Sequence, residues 1–174
     1  MRRIIGIDGG AKTGVAIVNP DAPKKKEIEK LITTDFWGVM DIINDYRHNG
    51  YEVIVGVENP DLIKPLYNKK VRVGKNYIPT RTAVKAYAHN PKILNSVVNQ
   101  ISAISQSVGK VKRESTLLIE FLTRANIEFY QVKPASRKWD KGIVKQLGYF
   151  GQSSEHSRDG LKMAYCVLSQ YKKK

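Results

Sequence analysis

Residues 4–18 read "IIGIDGGAKTGVAIV": two short runs of apolar, largely β-branched residues flank Asp8, Gly9 and Gly10. Runs of this length and composition read as strands, and Asp-Gly between them signals a tight turn, so the stretch predicts a hairpin. An acid closing an apolar strand also suits a metal ligand. The two readings are compatible, because glycines beside Asp8 let the backbone turn and leave room for an ion and a phosphate. The choice rests on whether the rest of the chain supplies partners for Asp8.

Downstream, "KLITT" (30–34) offers a third strand and completes a meander. Residues 35–50 then read as a helix, with Asp35 at its N-cap, apolar Val39, Ile42, Ile43 and Tyr46, and Gly50 where it stops. "EVIVGVENP" (52–60) is a β-branched strand of the kind buried under helices, and it ends on Glu58. The segment 61–91 is basic and punctuated by Pro65, Gly74, Pro79 and Pro91, which reads as an insertion or a small ribbon. From Leu94 the apolar positions Val97, Ile101, Ile104, Val108 and Val111, resumed by Leu118, Leu122 and Ala125, recur at helical spacing. Gly109 and Ser115 predict a break into two helices there. The stripe suits core packing, and a helix of this length also offers a dimer seam. "IEFYQVKP" (127–134) is a last strand, "ASRKWDKGIVKQLG" (135–148) a short basic helix, and a final helix runs from Glu155 to about Tyr171. Strands preceding and flanking helices argue an α/β fold.

The 174 residues suit one domain, 1–174, with a basic insertion at about 61–92, long enough to bury a core without staples. The net charge of +14 is unevenly spread. Residues 1–60 hold eight Lys and Arg against nine Asp and Glu; from Leu62 to Arg113 there are eleven basic residues and no acid. That concentration is the footprint of a polyanion site, nucleic acid foremost. Cys166, the single cysteine, has no internal disulfide partner. The opening residues do not read as a signal peptide and no apolar run suits a bilayer span, so a soluble intracellular protein is expected.

Partners for Asp8 are present. If its strand and that of Glu58 are parallel neighbours, both carboxylates emerge at one sheet edge. In "SSEHSRDGLKMAY" (153–165) His156 and Asp159 are three apart and Glu155 and Asp159 four apart, so all three can share one face of a helix near its start. Each acid alone also has a plainer role: a strand end leaving the core for water, or a first-turn acid favoured by the helix dipole, which suffices for Glu155. Together they suit metal chemistry. Two Mg²⁺ ions about 4 Å apart can activate a water on one side of a phosphodiester and stabilise the leaving oxygen on the other. Mg²⁺ takes oxygen ligands and keeps waters, so one or two carboxylates per ion suffice. Asp8 would bridge the ions, Glu58 and Asp159 would each complete one, and His156 would ligate or move a proton.

These residues resemble the RuvC-type Holliday junction resolvases of the ribonuclease H-like nuclease superfamily. "IIGIDGGAKTGVAIV" looks like the family's first strand, turn and second strand, with the first catalytic Asp at Asp8; "VIVGVEN" (53–59) looks like the strand ending in the catalytic Glu, here Glu58. "ANIEFYQVKPASRKWDKG" (125–142) resembles a later strand followed by Pro and a Lys-bearing helix, and "HSRDGLKMAYCVL" (156–168) the final helix, whose paired ligands would be His156 and Asp159. The resemblance implies a ribonuclease H-like α/β fold with a mixed five-stranded sheet flanked by helices. It implies a cytoplasmic homodimer, in a bacterial cell or a phage-infected host, that serves DNA recombination and repair. Such a dimer binds four-way DNA junctions and nicks them in pairs, using two Mg²⁺ or Mn²⁺ ions per active site held by Asp8, Glu58, His156 and Asp159.

The segment 61–91 looks longer and more basic than the family's usual loop, which suits a phage-borne relative. On the nuclease reading Lys69, Lys70, Arg72, Lys75, Arg81 and Lys85 bind phosphates. Lys112, Arg113, Lys138 and Lys141 extend that surface, and a lysine near Lys138 sits beside the reacting phosphate. Tyr67 and Tyr77 are candidates for an aromatic wedge entering the junction. Sugar kinases and actin-like ATPases also open on an Asp-Gly turn between strands, but need a second lobe for which 174 residues leave no room. A structured-RNA-processing nuclease of the same superfamily and a non-catalytic branched-DNA-binding module stay open.

Overall fold

In the computed structural model, which describes residues 1–10, 12–62, 69–134 and 138–172, the runs around Asp8 form two antiparallel strands. These are β1 (Arg2–Asp8) and β2 (Thr13–Val18), joined through residues 9–12. The chain continues through β3 (Ile28–Thr34), α1 (Phe36–His48), β4 (Glu52–Glu58) and a 3-10 turn at Pro60–Leu62. A hairpin of β5 (Lys70–Val73) and β6 (Asn76–Pro79) leads into α2 (Thr80–Ala86) and α3 (Pro91–Arg124). β7 (Glu128–Val132), α4 (Lys141–Gln146) and α5 (Glu155–Tyr171) follow. Contacts divide the chain into two compact units, one of Met1–Leu62 with Val111–Lys174 and one of Ile63–Lys110.

The first unit is built on a mixed five-stranded sheet in the order β3-β2-β1-β4-β7. The expected meander supplies its antiparallel part, and β1, β4 and β7 run parallel. Strands buried on both faces should be apolar through their middles, and β1 over residues 4–7 and β2 over residues 14–18 are. Successive side chains alternate between two cores. Ile5, Ile7, Val15, Ile17, Val53, Val55 and Val57 meet Val39, Met40 and Ile43 of α1 and Leu118 and Leu122 of α3. Ile4, Ala16, Val18 and Ile54 face Leu161, Ala164, Val167 and Leu168 of α5. Each buried Ile, Leu or Val contributes roughly 1.5–3 kcal/mol of transfer free energy.

On that second face the sheet is bare at three glycines between these side chains. A Cβ added to Gly6 would run into the Gly160 carbonyl and the Ala164 nitrogen, and one on Gly14 into the His156 carbonyl. At Gly56 it would meet Val167 Cγ2 at 2.7 Å. Thus α5 lies on the strands with its backbone almost touching theirs. Its start is fixed by a capping box, in which Ser154 Oγ accepts from Ser157 N at 3.0 Å and Ser157 Oγ accepts from Ser154 N, also at 3.0 Å.

The second unit has a small core of its own, Val71, Ala83 and Val97, backed by Ile78, Ile93, Ile101 and Ile104. The ribbon expected in 61–91 is the β5-β6 hairpin, turned by Gly74 at φ +62°. Helix α2 was not foreshadowed, since it buries only Ala83 and so carries no apolar period.

Two helix expectations need correction. The break at Gly109 and Ser115 does not occur: α3 runs unbroken for 34 residues. A lone glycine costs a helix only about 1 kcal/mol relative to Ala, and Ser115 spends its hydroxyl on the carbonyl of Glu58 at 2.9 Å rather than on a cap. The basic helix expected over 135–148 is confined to Lys141–Gln146, because Asp140 caps it by accepting from Ile143 N at 2.9 Å. Residues 135–137 of that expectation lie outside the described residues. Asp35, by contrast, caps α1 as expected, accepting from Gly38 N at 2.9 Å. Among the described residues no helix is long and apolar enough to cross a membrane.

Two glycine substitutions separate these environments. Gly14→Ala should cost about 1–3 kcal/mol or more, because the new methyl enters the α5 backbone. Gly109→Ala, on an open helix face, should add about 0.5–1 kcal/mol. Urea unfolding followed by circular dichroism reads both, and equal effects would refute the contact.

Candidate active site

One pattern occurs twice and builds the site. In β1 the residues facing α5 are Ile4, Gly6 and Asp8; in β4 they are Ile54, Gly56 and Glu58. The strands pair in parallel with Ile4 opposite Ile54 and Gly6 opposite Gly56, so Asp8 and Glu58 follow side by side at one sheet edge. The glycines admit α5, and the helix brings its first turns over the two acids. The result is a cleft of about 280 Å³ lined by Asp8, Gly9, Glu58, Val111, Lys138, His156, Asp159, Lys162 and Met163.

All four residues singled out from sequence, Asp8, Glu58, His156 and Asp159, therefore meet in one place. Asp8 and Glu58 share a side-chain hydrogen bond, and His156 Nδ1 lies 3.3 Å from Asp8 Oδ2. The Asp8 side chain is 13% exposed and that of His156 46%, so the imidazole forms the outer wall. Glu155 turns outward into an ion pair with Lys138 on the rim. Supports converge from behind. Ser115 holds the strand end at Glu58, and Arg158 ties the first turn of α5 to the Lys138 segment by donating to the Trp139 carbonyl at 2.9 Å.

The sequence reading missed Lys162. It stands three residues beyond Asp159, is only 8% exposed, and reaches the same cleft. Its signal was positional: a lysine on the sheet-facing half of an amphipathic helix has to meet charge. Gly9 and Gly10 are also plainer than expected. Neither is among the glycines with positive φ, and a Cβ at Gly9 would only reach ordinary contact with Ser115 Oγ at 3.4 Å.

In this half-dry cleft Asp8 and Glu58 hold protons more tightly than ordinary carboxyls do. Burial, foremost, pushes the Glu58 carboxyl up to about 8, with the Asp8 hydrogen bond and the charges of Asp8 and Asp159 adding to it. Burial likewise raises Asp8 to about 6, against the opposing pull of its hydrogen bond with Glu58. The two share a proton as a unit. A cation in the cleft would do the same service, and the donor set of three carboxylates and an imidazole suits Mg²⁺ or Mn²⁺. Among the described residues no three His, Cys, Asp or Glu side chains are arranged to hold an ion as they stand.

The residues assigned to phosphate binding divide between the units. Lys69, Lys70, Arg72, Lys75, Arg81 and Lys85 are all exposed on the β5-β6 hairpin and α2 of the second unit, with Tyr77 64% exposed among them. Arg72 Nε donates to the Gly74 carbonyl at 3.1 Å, within its own turn. Lys112, Arg113, Lys138 and Lys141 belong to the first unit, where Lys112 pairs with Asp61. Tyr67 lies outside the described residues. The apolar stripe of α3 is spent on internal packing at Val97, Ile101, Leu118 and Leu122. One open apolar surface on the first unit surrounds Phe36, Leu117 and Phe121, the two phenylalanines half-buried, while Trp37 and Phe150 stand exposed on the same unit. No family model, curated protein or solved structure matches the chain.

The shared proton makes stability depend on pH. Both carboxyls hold protons more tightly folded than unfolded, so their contribution is complete below the ordinary carboxylate range and is lost as pH rises through about 6 and about 8. In EDTA the thermal midpoint should therefore fall between pH 5 and 8.5, and Glu58→Gln should flatten most of that fall. A wild-type profile no steeper than that of the variant would refute the coupling.

Proposed function

We propose that the chain is a divalent-metal-dependent endonuclease that resolves four-way DNA junctions by paired nicks. The observation that carries this reading is the meeting of Asp8 and Glu58, from the ends of adjacent parallel strands, with His156 and Asp159 from α5 in one cleft. The resemblance of these same segments to RuvC-type resolvases, with their ribonuclease H-like fold, supplies the substrate. Mg²⁺ or Mn²⁺ held by Asp8, Glu58, Asp159 and His156 would supply Lewis-acid polarisation of the phosphodiester and a more acidic water.

The chain's own residues do the rest. Asp8 and Glu58 would hold such an ion only with their shared proton released, and His156, on the outer wall against Asp8, could accept or return a proton at its ring nitrogen. Lys138 on the rim offers its ammonium to the reacting phosphate. The exposed lysines and arginines of the second unit bind backbone phosphates, giving affinity that falls steeply with salt. Tyr77, exposed beside them, is the available wedge for the junction's centre.

A homodimer completes the reading, since paired nicks need two active sites. Its seam is the open face of Phe36, Leu117 and Phe121, bordered by Glu120 and Arg124. Acid and base four residues apart on one helix are self-complementary about a two-fold axis, each copy's Glu120 meeting the other's Arg124. Light scattering should give a dimer mass for the native protein and a monomer for Phe121→Glu. A native monomer would overturn the seam.

Cleavage of labelled four-way junction, linear duplex and structured RNA tests the activity, with Mg²⁺ or EDTA, using native protein and Asp8→Asn. Metal-dependent paired nicks confined to the junction are expected, falling by at least about 100-fold in the variant while junction binding persists. Cutting of RNA alone would make the protein an RNA-processing nuclease. Binding without cutting in either metal would make it a branched-DNA-binding module.

A further inference from the structure

The cleft already contains a cation that the metal reading does not use. Lys162 is nine-tenths buried and lines the cleft together with Asp8, Glu58 and Asp159. A helical side chain leans toward the helix N-terminus, so a lysine one turn past Asp159 carries its ammonium back to the level of the acids. We propose that the Lys162 ammonium is a resident cation that stands in for a second divalent ion, so that each cleft takes up one Mg²⁺ or Mn²⁺ rather than two.

Charge balance favours the same count. Three carboxylates against Lys162 leave a deficit that one divalent ion cancels, and Lys138 on the rim, whose charge also reaches Asp8, lessens that deficit further. A second divalent ion would add two positive charges to a half-buried space, more than the single charge of one phosphodiester offsets. The lysine's field reaches the acids that matter, since it opposes protonation of both Asp8 and Glu58. A lysine is also a compact point charge that needs no ligands of its own, so it can replace an ion without a coordination shell.

The proposal rests on the metal reading, and the number of bound ions separates the two. Mn²⁺ titration of the DNA-free protein, followed by electron paramagnetic resonance of free Mn²⁺, counts ions per chain. One ion is expected for the native protein and for Lys162→Arg, and a second ion for Lys162→Met, which keeps the stem's bulk and removes the charge. Two ions on the native protein would overturn the resident-cation role while leaving the nuclease reading intact; no ion on any of them would overturn both. Should Lys162→Met fail to fold by circular dichroism, the native count decides alone.

Discussion

The structure depends on one contact, the backbone of α5 resting on a sheet bared of side chains at Gly6, Gly14 and Gly56. An ordinary helix packs on a sheet at a distance set by its side chains, about 10 Å between layers. Removing them at these positions lets the helix sink until Gly160 and His156 present their carbonyls to strand atoms. That closeness matters because His156 and Asp159 lie in the first turns of α5, where a Cβ at Gly14 would lift them away. The same short distance traps Lys162 beside the acids. Packing and chemistry are therefore set by the same few hydrogens in place of methyl groups.

A cost accompanies this arrangement. Three carboxylates gathered at the dry end of a sheet repel one another, and the protein without metal relieves the repulsion with a shared proton and with Lys162. Neither remedy is perfect, which leaves the cleft with an unsatisfied demand for positive charge. Such sites are commonly functional, because a cluster that only supported the fold would be more stable with apolar residues in its place. The surrounding bonds from Ser115 and Arg158 to backbone carbonyls resist the obvious escape, in which the strand ends and the helix start spread apart.

Much of this was legible in the sequence. The strands, the N-cap at Asp35, the final helix and the four candidate residues follow from alternation, turn chemistry and spacing. The pairing of the acids was legible in principle too, since Ile-Gly-Asp and Ile-Gly-Glu at alternate positions give the same face twice. What periodicity could not carry was anything decided by a single tertiary contact. Ser115 reads as a helix breaker because serine often is one, but its hydroxyl found a carbonyl on β4. Helix α2 buries one alanine, so no pattern announces it. Spacing puts Lys162 on the sheet-facing half of its helix, but only the glycines that bring that helix down onto the acids make it part of the site.

On the proposed function, the two compact units divide the labour that a polyanion substrate would demand. Between residues 63 and 110 the chain holds nine Lys and Arg and no acid, so every charge there adds to one field and none is neutralised locally by a carboxylate of the same unit. Such a surface would be ruinous beside an unloaded cleft if it had to share that cleft's core, because self-repulsion destabilises a compact state. It does not share it: Val71, Ala83 and Val97 form a separate core under the hairpin and α2. Affinity for phosphates and the geometry of the acids can then vary independently.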